Sequence, residues 1–353
     1  MAWGSPLQRT QAQYCPISST SKFPASSTHH RPKEATMQSA DHVTITVLVD
    51  NYIDMLMQNS PTVTRQGMPE HFLPRRGTPL AENGISFLIK ATTAGRTTTI
   101  LFDAGMSGIP ILHNARVLGI DWDDIDQVVL SHGHPDHFGG IYAALGAIGR
   151  RVPVVVHPSA FHPRSIKRAD VMLQYFNRDL TERELTEAGA AIVAIREPLD
   201  IAPGIMTSGE IPIVHDFEQE VPAGRISIRD GHVHPDPIED YFTLIINVTG
   251  VGLIVLDPCG HSGVISSLDH AKKVSGIDTL HGVMGGFHLG HAGITDEKIG
   301  RTVQELVARD LKLVSPMHCS GFKAQKAVAE AMPDSFVLMT AGAELVITAN
   351  SAH

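Results

Sequence analysis

Apolar and polar residues alternate along Val43-Thr-Ile-Thr-Val-Leu-Val49, the period of a strand with one buried face, and the run stops at Asp50-Asn51. The same reasoning predicts strands over 85–90 and 97–102, the second passing into Asp103-Ala-Gly105. A helical stretch follows over 109–118, then a short buried strand over 127–130. Beyond a histidine-rich loop the pattern predicts a helix over 141–148 and a strand over 152–156. A further helix over 181–189 has Thr181 placed to cap it. Residues 192–233 read as β-structure with turns, and 241–248 and 251–256 flank Thr249-Gly250 as a hairpin. Helices over 263–274, 295–309 and 323–331 then alternate with strands over 282–284, 313–314 and 336–339. This order implies two similar halves of mixed α/β structure packed face to face.

Two stretches break the pattern. Residues 1–40 are rich in Ser, Thr, Pro and Gln, carry Glu34 as their sole acid and show no hydrophobic period, which predicts a disordered extension before a single domain over 41–353. Met37 offers an alternative start, and the Ser-rich, acid-poor leader is weighed as an organellar address against a cytoplasmic location. Residues 60–84, rich in Pro, Gly and Arg, form a loop long enough to predict a lid.

Composition then narrows the function. With 28 basic against 37 acidic residues the net charge is −9, and no basic stripe is present to neutralise several phosphates, so nucleic acid is not the expected partner. No run reaches the roughly 18 to 20 apolar residues that span a bilayer, so a soluble protein with no membrane partner is expected. A small-molecule substrate is expected, and a homo-oligomer is compatible with the sequence. Three cysteines cannot build a disulfide framework, which suits a reducing compartment. Twenty histidines direct attention to metal chemistry.

That chemistry concentrates in Ser131-His-Gly-His-Pro-Asp-His137, directly after the buried strand. His132, His134, Asp136 and His137 place four potential ligands within six residues, and the intervening Gly and Pro enforce a loop in which their side chains can converge. Imidazole and carboxylate suit divalent zinc, iron or manganese. The spacing is not that of a structural zinc site, which would be closed by Cys-x-x-Cys thiolates. No Gly-x-Ser-x-Gly elbow points to a protein nucleophile.

His-x-His-x-Asp-His after a hydrophobic strand, with Asp103-Ala-Gly105 upstream, resembles the metallo-β-lactamase superfamily over residues 43–348. The resemblance implies an αββα four-layer sandwich with two divalent metals, zinc foremost, at one edge. His132 and His134 would bind the first metal, Asp136 and His137 the second, and His318 of Met-His-Cys-Ser-Gly would join the second. Many relatives carry a bridging aspartate on the middle turn. Here that turn reads Asp257-Pro-Cys-Gly-His261, and His261 is preferred over Asp257 as the third ligand of the first metal. Cys-Gly-His-Ser-Gly, Gly-Gly-Phe-His and Met-His-Cys-Ser-Gly narrow the resemblance to a branch typified by dihydropterin ribofuranosylaminobenzene-phosphate synthase-like proteins.

The remaining assignments follow from position. Asp136 would also orient the attacking water, and His288 would stabilise the leaving group or hold substrate. Asp50 and Asn51 end the first strand, where the branch resembled carries an asparagine, and by that resemblance would meet substrate. Asp103 would orient a ligand histidine through its free N–H. Cys259 and Cys319 flank ligands and are weighed as metal-adjacent thiols against plain packing, the commoner role of a buried cysteine. His232, His234 and Asp236 have metal-like spacing without a fixing strand, and His157 reads as structural. His29, His30 and His353 have no role. The leading expectation is hydrolysis of a phosphoester, ester or lactone of a small anionic metabolite; the alternatives are the synthase-like condensation, iron-based redox chemistry on the same ligands, and metal binding without catalysis.

Overall fold

A computed structural model of the chain describes residues 36–66, 77–168, 171–174, 178–219 and 224–349. Among these residues the strands form three sheets. The first has eight strands in the order Val63–Thr64, Glu344–Thr348, His42–Val49, Ser86–Thr93, Arg96–Phe102, Gln127–Val129, Val152–Val156 and Ala190–Ala194. The second has six, ordered Leu199–Ala202, Ile205–Thr207, Leu244–Val248, Gly252–Asp257, Leu280–Gly286 and Leu313–Met317.

Alternation in the first strand explains how the layers assemble. Val43, Ile45 and Val47 point to one side and pack with Phe87, Ile89, Ile100 and Phe102 against Leu244, Ile246, Ile254 and Leu256 of the second sheet. A shift of register between Val47 and Val49 turns Leu48 and Val49 to the opposite side. There they meet Ile111 and Ala115 of helix Gly108–Leu118 and Ile141 and Leu145 of helix Ile141–Ile148. The outer face of the second sheet is covered likewise by helices Val264–Ser275, Asp296–Ala308 and Gly321–Ala331 through Leu268, Leu306 and Val328. Four layers, helix, sheet, sheet and helix, result, the αββα sandwich.

Several local expectations shift. Thr181 does cap helix Glu182–Glu187, its hydroxyl accepting from Glu184 N. The strand expected over 336–339 is reduced to a bridge between Phe336 and Val314. Val337 N donates to Val314 O, but the next rung would need an N–H from Pro316, which has none. The extension expected over 1–40 lies outside the described residues up to 35, whereas Met37 is buried and donates its N–H to Ser275 O. Of the expected lid, residues 67–76 lie outside the described set. Its two flanks are tied down, by pairing of Val63–Thr64 with the strand Glu344–Thr348 and by Asn114 accepting from Leu80 N. No helix of the described residues is long and apolar enough to cross a membrane.

The third sheet, ordered His232–Pro235, Arg225–Arg229, Arg164–Arg168 and Val171–Gln174, shares no strand with the other two. In its register Ser227 faces Arg164 and Arg225 faces Ile166, so Arg164 and Arg225 share one face.

Candidate metal centre

The strand Gln127–Val129 delivers Ser131 to the edge of the sandwich, and a four-residue helix, Pro135–Phe138, begins immediately after His134. Proline at the first helical position suits the tight start, because its missing N–H would have no partner there. Gly133 has to be glycine: a Cβ would fall inside the contact radii of Arg164 Nη1 and Ala160 O. This loop therefore turns its imidazoles inward.

Three histidines converge. His132 Nε2 lies 3.0 Å from His134 Nδ1, and His261 Nε2 lies 3.2 Å from each of those atoms. Four ligands at about 2.05 Å around tetrahedral zinc are about 3.3 Å apart, so these three nitrogens already have the spacing of one face of that tetrahedron. A second set, Asp136, His137 and His318, brings its donor atoms within 4.8 Å of one another. The Nε2 atom of His137 is buried and makes no hydrogen bond, and that of His318, also buried, has Asp136 Oδ2 at 3.4 Å, another member of the same set, as expected of groups shaped to hold a cation. The two sets adjoin, with the His132 and His137 rings 4.1 Å apart. The residues present therefore fit metal ions.

Partners behind the rings fix their orientation. Asp103 Oδ2 contacts His137 Nδ1 at 2.7 Å and accepts from Ser131 Oγ at 2.7 Å, while Oδ1 accepts from Ser131 N. Ser131 Oγ in turn lies 2.9 Å from His132 Nδ1, so one carboxylate orients a ring in each set. Asn51, expected at the substrate, is instead engaged by His318: its Oδ1 is 3.0 Å from His318 Nδ1 and its Nδ2 donates to His318 O. Asp50 is buried as well and accepts from His318 N; burial raises its pKa to about 6 against the pull of His318. Asp103, His288 and His318 have φ of 57°, 53° and 44°, the left-handed region that residues other than glycine seldom adopt. Replacing Asp103 with Asn exchanges one of its two acceptor oxygens for an amide N–H donor, which disturbs the contact with His137 directly and that with His132 through Ser131, and is expected to weaken zinc affinity about 10- to 100-fold, measured by competition with a chromophoric chelator.

The middle turn discriminates between the two sequence candidates. Asp257 is fully buried and, unlike His261, enters no candidate metal-holding group among the described residues: its Oδ1 accepts from Tyr241 OH and Gly260 N, and its Oδ2 is buried with no hydrogen-bond partner. Burial pushes its carboxyl well above the usual range. Tyr241 OH also accepts from Cys259 N and Gly260 N, so this tyrosine shapes the turn that presents His261. His288 is brought in as well, its ring 4.4 Å from that of His261. Cys259 Sγ lies 3.4 Å from Cys319 Sγ and 3.8 Å from His288 Nδ1.

Other candidates fall elsewhere. His232 and His234 stand on an exposed strand, and Asp236 accepts from Arg164 Nε at 2.8 Å. His157 accepts from Ser159 N and lies 2.9 Å from Glu210. His29, His30 and His353 lie outside the described residues. The sequence reading passed over Arg164, whose buried guanidinium also bonds Asp240 and Gly133 O, while Asp240 accepts from Gly133 N. It passed over Tyr241 and Arg225 too. An isolated tyrosine or arginine carries no spacing signal; only tertiary pairing marks them.

Charge follows from burial. His132, His134 and His261 are held well below the ordinary imidazole range, by burial first and by neighbouring positive groups second, Arg225 among them for His134 and His261. Burial opposes the charge of Asp136, yet His137 and His318 keep its pKa below the carboxylate norm. Burial likewise opposes the charge of His318, but Cys319, Asp136 and Asp50 raise its pKa to about 9. Three buried neutral imidazoles bind fewer protons than they do unfolded, so their contribution is fully present above the unfolded pKa of about 6.5 and is lost as pH falls toward the depressed folded values. Metal-free protein is expected to lose stability steeply below pH 6.5, by up to about 1.4 kcal/mol per pH unit for each such histidine, read from urea melts across pH.

A family model described as the metallo-beta-lactamase superfamily matches residues 82–275. The chain is 34% identical over 264 residues, 74% of its length and 89% of the relative's, to the 7,8-dihydropterin-6-methyl-4-(beta-D-ribofuranosyl)-aminobenzene-5'-phosphate synthase of Methanocaldococcus jannaschii. It is 32% identical over 244 residues to an uncharacterised protein of the same organism, covering 69% of this chain and 86% of that one. Among solved structures it resembles a metal-dependent hydrolase of the beta-lactamase superfamily, with a TM-score of 0.64 and 23% identity over 87% of this chain and 99% of the other.

Proposed function

Because this chain belongs to the metallo-beta-lactamase superfamily, we propose that it is a metal-dependent enzyme of the synthase-like branch, joining a dihydropterin to a phosphorylated ribofuranosyl-aminobenzene or a close analogue. The observation that carries the metal dependence is the convergence of two three-residue sets, His132, His134 and His261 beside Asp136, His137 and His318. Imidazole-rich donors with one carboxylate favour zinc, two ions per chain. Bound there, divalent ions supply Lewis-acid polarisation of oxygen on the substrate. Transfer is preferred over the hydrolysis expected from the sequence because the relative matched along 89% of its length is a synthase.

The chain's own groups have separate tasks in this reading. Asp103, Ser131 and Asn51 hold ligand rings in place. His288, beside His261, is positioned to hand a proton to a leaving oxygen. Arg225, on the sheet face shared with Arg164, supplies positive charge for a phosphate. The partner is a small molecule.

The test incubates zinc-loaded protein with a dihydropterin bearing an activated 6-methyl carbon and with ribofuranosyl-aminobenzene phosphate, followed by mass spectrometry. A joined product that is absent with His261→Ala supports the reading. Consumption of either compound by water alone would return the protein to the hydrolases, and iron as the metal in protein purified without additions would move it to redox chemistry.

A further inference from the structure

The two ligand sets leave a charge imbalance. Two divalent ions bring four positive charges, while the first set is three neutral imidazoles and the second contains one carboxylate, Asp136. A shared anionic ligand would reduce the repulsion between ions held this close, and Asp257 belongs to none of the candidate metal-holding groups among the described residues, its Oδ1 accepting from Tyr241 OH and Gly260 N.

One atom is placed for the task. Cys259 Sγ lies within 4.8 Å of donor nitrogens from His132 and His137, one from each set. It also groups within that distance with His261 and His288, and with His318 and Cys319. Cys259 is 3% exposed, on the same turn as His261, and its backbone N–H is fixed by Tyr241 OH. A buried cysteine is ordinarily packing, but packing does not require a sulfur surrounded by metal-binding nitrogens.

We propose that Cys259 is a shared thiolate ligand of both metal ions, taking the place of a bridging carboxylate. This rests on the metal-dependent reading given above. Zinc accepts thiolate at about 2.3 Å, and a coordinated thiol is deprotonated by the ion itself. Cys319 is the less central of the two sulfurs: its Sγ lies 3.2 Å from Cys259 O, and it enters one of the candidate groups among the described residues where Cys259 enters three. Gly286 makes room for it, since a Cβ there would press on Cys319 Sγ.

The full chain, stripped of metal under reducing conditions and reloaded with cobalt(II), provides the test. The parent is expected to bind about two cobalt ions, show the near-ultraviolet thiolate-to-cobalt charge-transfer band, and give the weakened paramagnetic signal of a coupled pair. Cys259→Ser should lose the band and fall to about one ion, whereas Cys319→Ser should keep both. The parent spectrum stands even if a variant does not fold. Two bound cobalt ions without the band overturn the thiolate alone, as does a band lost with Cys319→Ser and kept with Cys259→Ser. A band on magnetically isolated ions overturns the bridge. No bound cobalt in the parent overturns the metal reading together with this one.

Discussion

His261→Ala is expected to reduce bound zinc from about two ions to about one and to lower turnover by well over the roughly 10- to 100-fold that loss of a supporting partner costs. His261 supplies one of three nitrogens spaced 3.0–3.2 Å apart, and the carboxylate on its own turn, Asp257, lies outside that group with its Oδ1 bonded to Tyr241 OH. Asp257→Asn is the informative companion. It should keep its metal while losing stability, since a buried hydrogen-bonded network is disturbed. Elemental analysis of both variants decides the matter: metal lost from Asp257→Asn and retained in His261→Ala would reverse the assignment.

Arg164→Leu should destabilise metal-free protein by about 3 to 5 kcal/mol and lower Tm by on the order of 10 °C. The guanidinium is 6% exposed between Asp236 at 4% and Asp240 at 0%, so its removal leaves two carboxylates buried without a cation. Adding Asp236→Asn and Asp240→Asn should recover part of the loss, the sign that unpaired charge and not lost volume is responsible. Because Asp240 and Arg164 also hold both sides of Gly133, zinc affinity should fall too. A single variant within 1 kcal/mol of the parent would show that this clamp is not needed for the fold.

What the sequence revealed, and what it concealed, follows from the range of the interactions. The strand at His42–Val49 and the loop His132–His137 are legible because alternation and ligand spacing are local properties. His261 and His318 could be located from the strand-to-helix turns that carry them. The third sheet was half legible: Arg-Ile-Ser-Ile-Arg alternates and falls within the β-structure read over 192–233, but its partner Arg-Ser-Ile-Lys-Arg has a single apolar position, and the two pair across a long stretch of chain. The choice between Asp257 and His261 could not be made from spacing either, since both share one turn and the side that each faces is set by Tyr241. The same holds for Asn51, whose strand-end position fits substrate contact equally well until His318 is seen against it.

The left-handed backbone at Asp103, His288 and His318 bears on how the centre acquires its ions. Each such residue costs about 1 to 3 kcal/mol, a cost that the packing of the surrounding sheets must cover. Small metal-dependent domains instead fold as the ion binds, so that capture and folding are one event. In this chain three large apolar clusters hold the sheets and helices together independently of the metal-binding side chains, so chelators are expected to empty the protein without unfolding it, read as an unchanged far-ultraviolet dichroism spectrum.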